Sequence, residues 1–136
     1  MPPAEAFLSH ASANREAADE IAELLRKHGV PTFYAPTEIL GAQQWQNEII
    51  GALDRCDWFL VLLSPQSVES MWVRRETAYA LAERRYEDKI VPLMLQDCDL
   101  GGLAWLKLFQ TIDFRANIRT GCRDLLKIWG IGLKSS

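Results

Sequence analysis

Along this chain of 136 residues, short apolar runs alternate with segments whose apolar positions recur every three or four residues. "EAFLSH" is a short apolar run. "ANREAADEIAELLRKHG" follows, with Ala18, Ile21, Ala22 and Leu25 at helical spacing. Ser12 or Asn14 can cap that helix, Glu16 suits its first turn and Gly29 its end. "VPTFYA" reads as a strand whose proline places it at an edge or at a strand start. "PTEILGAQ" is a loop punctuated by Pro36 and Gly41. "QWQNEIIGALDRC" predicts a second helix with Trp45, Ile49, Ala52, Leu53 and Cys56 on one side. "WFLVLLS" is apolar almost throughout, as in a strand buried on both faces of a parallel sheet. "SVESMWVRRETAYALAERRY" predicts one continuous third helix and "IVPLML" a fourth strand. "QDCDLGGLAWLK" is a longer connection, "FQTIDF" a short strand, and "IRTGCRDLLKIWG" a last helix ended by Gly130. Trp58, Trp105 and Trp129 read as core.

Strands alternating with helices in this order predict an α/β fold with helices on both faces of a parallel sheet. Five strands in a chain of this size point to the flavodoxin-like, doubly wound strand order 2-1-3-4-5. In that order ligands bind beyond the C-terminal strand ends, where the winding reverses, between strands 1 and 3. The loop after strand 1 is "SHAS", from Ser9. The loop after strand 3 is "SPQS", from Ser64, and leads into the helix carrying Trp72 and Glu76. The topology therefore brings "LSHAS" and "WVRRE" toward one crevice.

Composition narrows the function without naming it. Hydrophobic residues make up 49% and charged residues 24%, as in an ordinary globular protein. A net charge of −3 and a pI near 5.4 argue against direct nucleic-acid binding. "MPPAEAFLSH" lacks the pattern of a signal peptide, and "WFLVLL" is too short to span a bilayer. Three scattered cysteines, Cys56, Cys98 and Cys122, read as free buried thiols of a reducing compartment. A cytoplasmic location is therefore expected. Phosphate-loop, GxGxxG, HExxH, CxxC and G-x-S-x-G signatures are absent, so neither a metal site nor a bound cofactor is expected. Ser9, His10 and Ser64 stand where a response regulator would carry acids.

Taken together, "AFLSHAS", "PTEILGAQQW", "RCDWFLVLLSPQSVESMWVRRE" and the late "WG" resemble a TIR (Toll/interleukin-1 receptor) domain of the prokaryotic type. The resemblance spans essentially the whole chain. W-x-x-x-E alone is a weak signal; in register after "LLSP" and together with "SHAS" it is specific. The resemblance implies one TIR domain over residues 1–136. It also implies self-association through a loop after strand 2 (the BB loop, about residues 35–45). Continuation past Ser136 into a sensor domain is a further expectation, since "GIGLKSS" could begin a linker. Many bacterial members cleave NAD⁺ to nicotinamide and ADP-ribose or a cyclic isomer, often in anti-phage defence. The family's catalytic glutamate maps onto Glu76 and its aromatic partner onto Trp72. Phe33, Tyr34, Ala35, Pro36 and Thr37 stand where many prokaryotic members carry an acidic pair.

Residues four apart on a helix have Cβ atoms about 5–6 Å apart, so Trp72 can wall one side of the Glu76 carboxylate. Two readings of the pair compete. In one, Trp72 packs into the core and Glu76 pairs with Arg74, Arg75 or another surface arginine. In the other, the carboxylate stabilises the oxocarbenium-like ribose formed as nicotinamide leaves. That leaving group is a cationic pyridinium that departs neutral. A single carboxylate can therefore suffice where glycosidases need two. The candidate substrate-binding residues are Ser9, His10, Trp72, Tyr34 and Trp45, with packing the competing role for the last two. Arg74, Arg75, Arg84 and Arg85 read as a solvated helix face, with contact to a diphosphate or a second subunit as the alternative. The function expected is thus an NAD⁺ nucleosidase activated by assembly. The alternative is a non-catalytic TIR–TIR interaction module.

Overall fold

The computed structural model describes residues 2–34 and 42–134, with the side chains of 42–45 outside that description. Its strands are β1 (Ala6–Ser9), β2 (Thr32–Phe33), β3 (Trp58–Leu63), β4 (Ile90–Met94) and β5 (Ile112–Asp113). They form one sheet in the order β2-β1-β3-β4-β5, and every pair is parallel. Leu60 at its centre lies between Leu8 of β1 and Val91 of β4. The α-helices are α1 (Arg15–Lys27), α2 (Ala42–Arg55), α3 (Pro65–Glu69), α4 (Met71–Ala82) and α5 (Ile118–Ile128).

The sheet divides two cores by the two-residue period of its strands. Leu60 and Leu62 of β3 join Ala6 and Leu8 of β1 against Ile21 and Leu25 of α1 and Leu125 and Leu126 of α5. Phe59, Val61 and Leu63 join Phe7 against Ile49 and Leu53 of α2 and Val73 and Ala80 of α4. The continuous apolar run of β3 is thus the mark of a strand covered on both sides. Parity also sets the direction of Ser9. It alternates with Leu8 and shares the Phe7 face, so it points toward α4.

Helix ends follow local chemistry. Gly29 and Gly130 close α1 and α5 at φ of 82° and 72°, conformations that cost glycine least. The next residues return to the helix, Val30 N–H to Leu25 O at 2.9 Å and Ile131 N–H to Leu126 O at 3.0 Å.

The continuous third helix expected from "SVESMWVRRETAYALAERRY" is instead broken. Ser64 and Ser67 form a reciprocal capping box that starts α3, with Pro65 in its first turn. Ser70 then turns extended, at φ −75° and ψ 121°, and its side chain accepts from Val73 N–H to start α4. Each serine oxygen supplies an acceptor that an uninterrupted helix would take from a carbonyl. A second extended residue, Glu83, ends α4 before the 3₁₀ turn Arg84–Tyr86.

Trp105 also departs from expectation: it is 68% exposed, and Leu108 is 75% exposed. The connection folds as a 3₁₀ segment, Gly101–Leu108, with Leu103 and Leu106 buried. Its three-residue period turns Trp105 and Leu108 outward. Trp129 is buried and packs edge-on against Trp58, with ring centroids 5.5 Å apart. All three cysteines are free; Cys56 and Cys122 are buried, Cys98 partly so. No helix among the described residues is long and apolar enough to cross a membrane.

Candidate active site

Helix α4 turns Val73, Glu76, Thr77 and Ala80 inward, the i, i+3, i+4, i+7 stripe of a core-facing helix. A glutamate on that stripe is costly unless it is satisfied. Glu76 is only 5% exposed. The Ser9 hydroxyl, itself buried at the C-terminal end of β1, donates to Glu76 Oε1 at 2.6 Å. Burial pushes the carboxyl up to about 7 from its ordinary 4.5, and the Ser9 hydrogen bond opposes part of that rise.

The surface ion-pair reading of Glu76 does not hold among the described residues. Arg74 Nε donates to Val68 O at 2.8 Å. The Arg75 guanidinium lies over the Trp72 ring, 5.6 Å from its centroid.

A cavity of about 230 Å³ opens beside Glu76 between two helical stripes. Gln46, Ile49, Ile50 and Leu53 of α2 form one wall; Trp72, Arg75, Glu76 and Tyr79 of α4 form the other. Both sets follow the same i, i+3, i+4, i+7 spacing, so each wall is a single helix face. Larger depressions of about 470 and 730 Å³ near β5 reach none of the candidate residues.

The two loops at the switch point are tied together. Ser64 Oγ donates to Asn14 Oδ1 at 2.6 Å, joining the end of β3 to the segment after β1. Asn14 does not cap α1 with its side chain, because that oxygen faces Ser64. Nor does Ser12 supply the cap: it opens a 3₁₀ turn, Ser12–Asn14, ahead of the helix.

His10 and Tyr34 lie apart from the cavity lining and against each other, with ring centroids 5.8 Å apart. The Tyr34 hydroxyl donates to Asp19 at 2.7 Å, and the Arg15 guanidinium sits 4.5 Å above its ring. Burial, then the Arg15 charge, holds the His10 ring below its ordinary pKa. Its buried Nδ1 has no hydrogen-bond partner among the described residues. The Trp45 side chain and residues 35–41 of the expected BB loop lie outside the described residues.

The TIR domain family model matches residues 6–126. The chain belongs to the TIR domain family. Its fold resembles the crystal structure of the TIR domain of the Toll-related receptor TRR-2 from the lower metazoan Hydra magnipapillata. That match has a TM-score of 0.73 at 17% identity and covers 90% of this chain and 95% of the other. The TIR domains of the activated Roq1 resistosome, a complex that directly recognises the pathogen effector XopQ, match with a TM-score of 0.71. Their identity is 16%, over 92% of this chain and 98% of the other. No curated protein sequence matches the chain.

This TIR domain therefore carries a buried carboxyl that accepts from Ser9 at the C-terminal end of β1 and borders, with Trp72, a cavity between α2 and α4. A carboxyl held near neutrality and fixed by one hydroxyl can stabilise a developing cation in its ionised form. Among the described residues no group of three or more His, Cys, Asp or Glu side chains converges on a metal site. Gln46, Ile50 and Tyr79 were not singled out by sequence. Repetition of the four-position spacing on both helices was the signal that could have found them.

Proposed function

We propose that this TIR domain is an NAD⁺ nucleosidase that breaks the bond between nicotinamide and ribose C1′. The observation that carries the reading is Glu76: a carboxylate on an apolar stripe, fixed by Ser9 and open to a cavity beside Trp72. As the pyridinium leaves with the bond electrons, positive charge develops on the ribose ring. The Glu76 carboxylate, itself buried, offsets that charge. Trp72 and Tyr79 supply flat apolar walls for the departing ring. Water then attacks C1′ and loses a proton to give ADP-ribose. Attack by a nucleophile of the same ADP-ribose gives a cyclic isomer instead.

Ionised Glu76 is the active form, so kcat/KM for the free enzyme rises with pH through about 7. A bound pyridinium cation favours the same ionised form. The cavity of about 230 Å³ lies below the ~300–1,000 Å³ usual for small-molecule sites. It takes one end of a dinucleotide, and we assign its completion to self-association of TIR domains. The setting proposed is cytoplasmic anti-phage defence.

The test is NAD⁺ turnover by the purified protein clustered on a surface, with products separated by chromatography. ADP-ribose or a cyclic isomer appearing with nicotinamide supports the enzyme. A folded, clustered protein that leaves NAD⁺ intact would instead make this a TIR–TIR interaction module.

A further inference from the structure

We propose that Arg75 positions the substrate's diphosphate. The inference takes its ligand from the nucleosidase reading above. Arg75 and Glu76 are the charged residues of the cavity lining. They are adjacent in sequence but differ in depth. Glu76 is buried, whereas Arg75 is exposed and lies over the Trp72 ring. A buried carboxyl thus lies at the floor and a positive charge at the rim.

NAD⁺ carries the matching pattern, a cationic pyridinium ribose followed by an anionic diphosphate. The cavity of about 230 Å³ cannot enclose the whole dinucleotide. With the pyridinium ribose beside Glu76, the diphosphate must leave across the rim, where Arg75 stands. A planar guanidinium binds phosphate oxygens in pairs.

Nearby cations are engaged elsewhere. Arg74 is committed to Val68 O. Arg85 donates to Leu53 O at 2.7 Å and lies 3.9 Å from Asp54. Arg75 engages no carboxylate among the described residues; its contact is the Trp72 ring. That contact orients the guanidinium without using up its N–H donors. In a chain of net charge −3, a local cation of this kind is needed to hold a dianionic group.

The experiment uses the full chain with Glu76→Gln, which prevents turnover, and measures NAD⁺ and ADP-ribose binding by calorimetry. Adding Arg75→Gln weakens both ligands about tenfold. Adding Arg75→Lys costs less, because the charge remains. The salt dependence of NAD⁺ binding falls in the Arg75→Gln protein alone. Unchanged affinity after Arg75→Gln, equal losses in the Gln and Lys variants, or no detectable NAD⁺ binding to the Glu76→Gln chain would overturn the proposal. If the native chain released no nicotinamide while this binding pattern held, the nucleosidase reading would fail and the role of Arg75 would stand.

Discussion

Glu76→Gln preserves shape and leaves an oxygen for the Ser9 hydroxyl, but removes the titration. In the native chain burial lifts the carboxyl from 4.5 to about 7. Folding therefore favours the protonated acid. Its stabilisation is fully present below about pH 4.5 and is lost as pH rises through 7. The gap between the two values corresponds to about 3 kcal/mol. At 5% exposure little solvent screening reduces it. Glutamine stays neutral, so this loss at rising pH is absent from the variant. The variant should match the native chain near pH 4.5 and exceed it by about 3 kcal/mol at pH 8, or about 10 °C in Tm. Urea unfolding of both proteins across this range measures the difference curve. A flat difference from pH 4.5 to 8 would refute the reasoning: the carboxyl would then be ionised and well solvated throughout. Gain of stability on removing a functional acid is the expected trade-off at an active site.

Ser9→Ala removes the one hydrogen bond that favours ionised Glu76. The acid limb of kcat/KM should move up by about one pH unit, with about fivefold lower activity at pH 7, read from a pH–rate profile. Gly121→Val places a Cβ 2.3 Å from Phe114 Cδ2, inside a buried ring that cannot retreat. It should destabilise by more than about 2 kcal/mol in urea unfolding. Trp105→Ser, at an exposed position, should change stability by less than about 0.5 kcal/mol, whereas Trp129→Ala should cost about 3–5 kcal/mol. Equal effects of the two tryptophan changes would contradict the packing described.

The sheet was legible in the sequence because its strands are patterned by burial. "WFLVLL" can be apolar throughout only between two helical layers, and β3 has that position. The order β2-β1-β3-β4-β5 followed from alternation and chain length. Ile49, Ala52, Leu53 and Cys56 share the buried face assigned to them. The break at Ser70 was less legible. "SVESMW" holds no glycine or proline to mark a stop, and a serine cap is recognisable only once the chain has turned. Trp105 was misplaced because composition favours burying a tryptophan, while the 3₁₀ period of its segment turns it outward. Topology brought Ser9 toward the helix of Glu76, but their hydrogen bond also required the parity of β1, which only strand register fixes. The partner wall from α2 was hidden: Ile50 and Gln46 look like solvated positions until α4 presents Trp72 and Tyr79 opposite them.

The measurement that bears most directly on this account is nicotinamide release from NAD⁺ by the clustered native chain and by clustered Glu76→Gln. The account predicts steady release by the native chain and at least a hundredfold less from the variant, which remains folded and at least as stable at neutral pH. Equal release by the two proteins would contradict it, as would no release from a folded, clustered native chain.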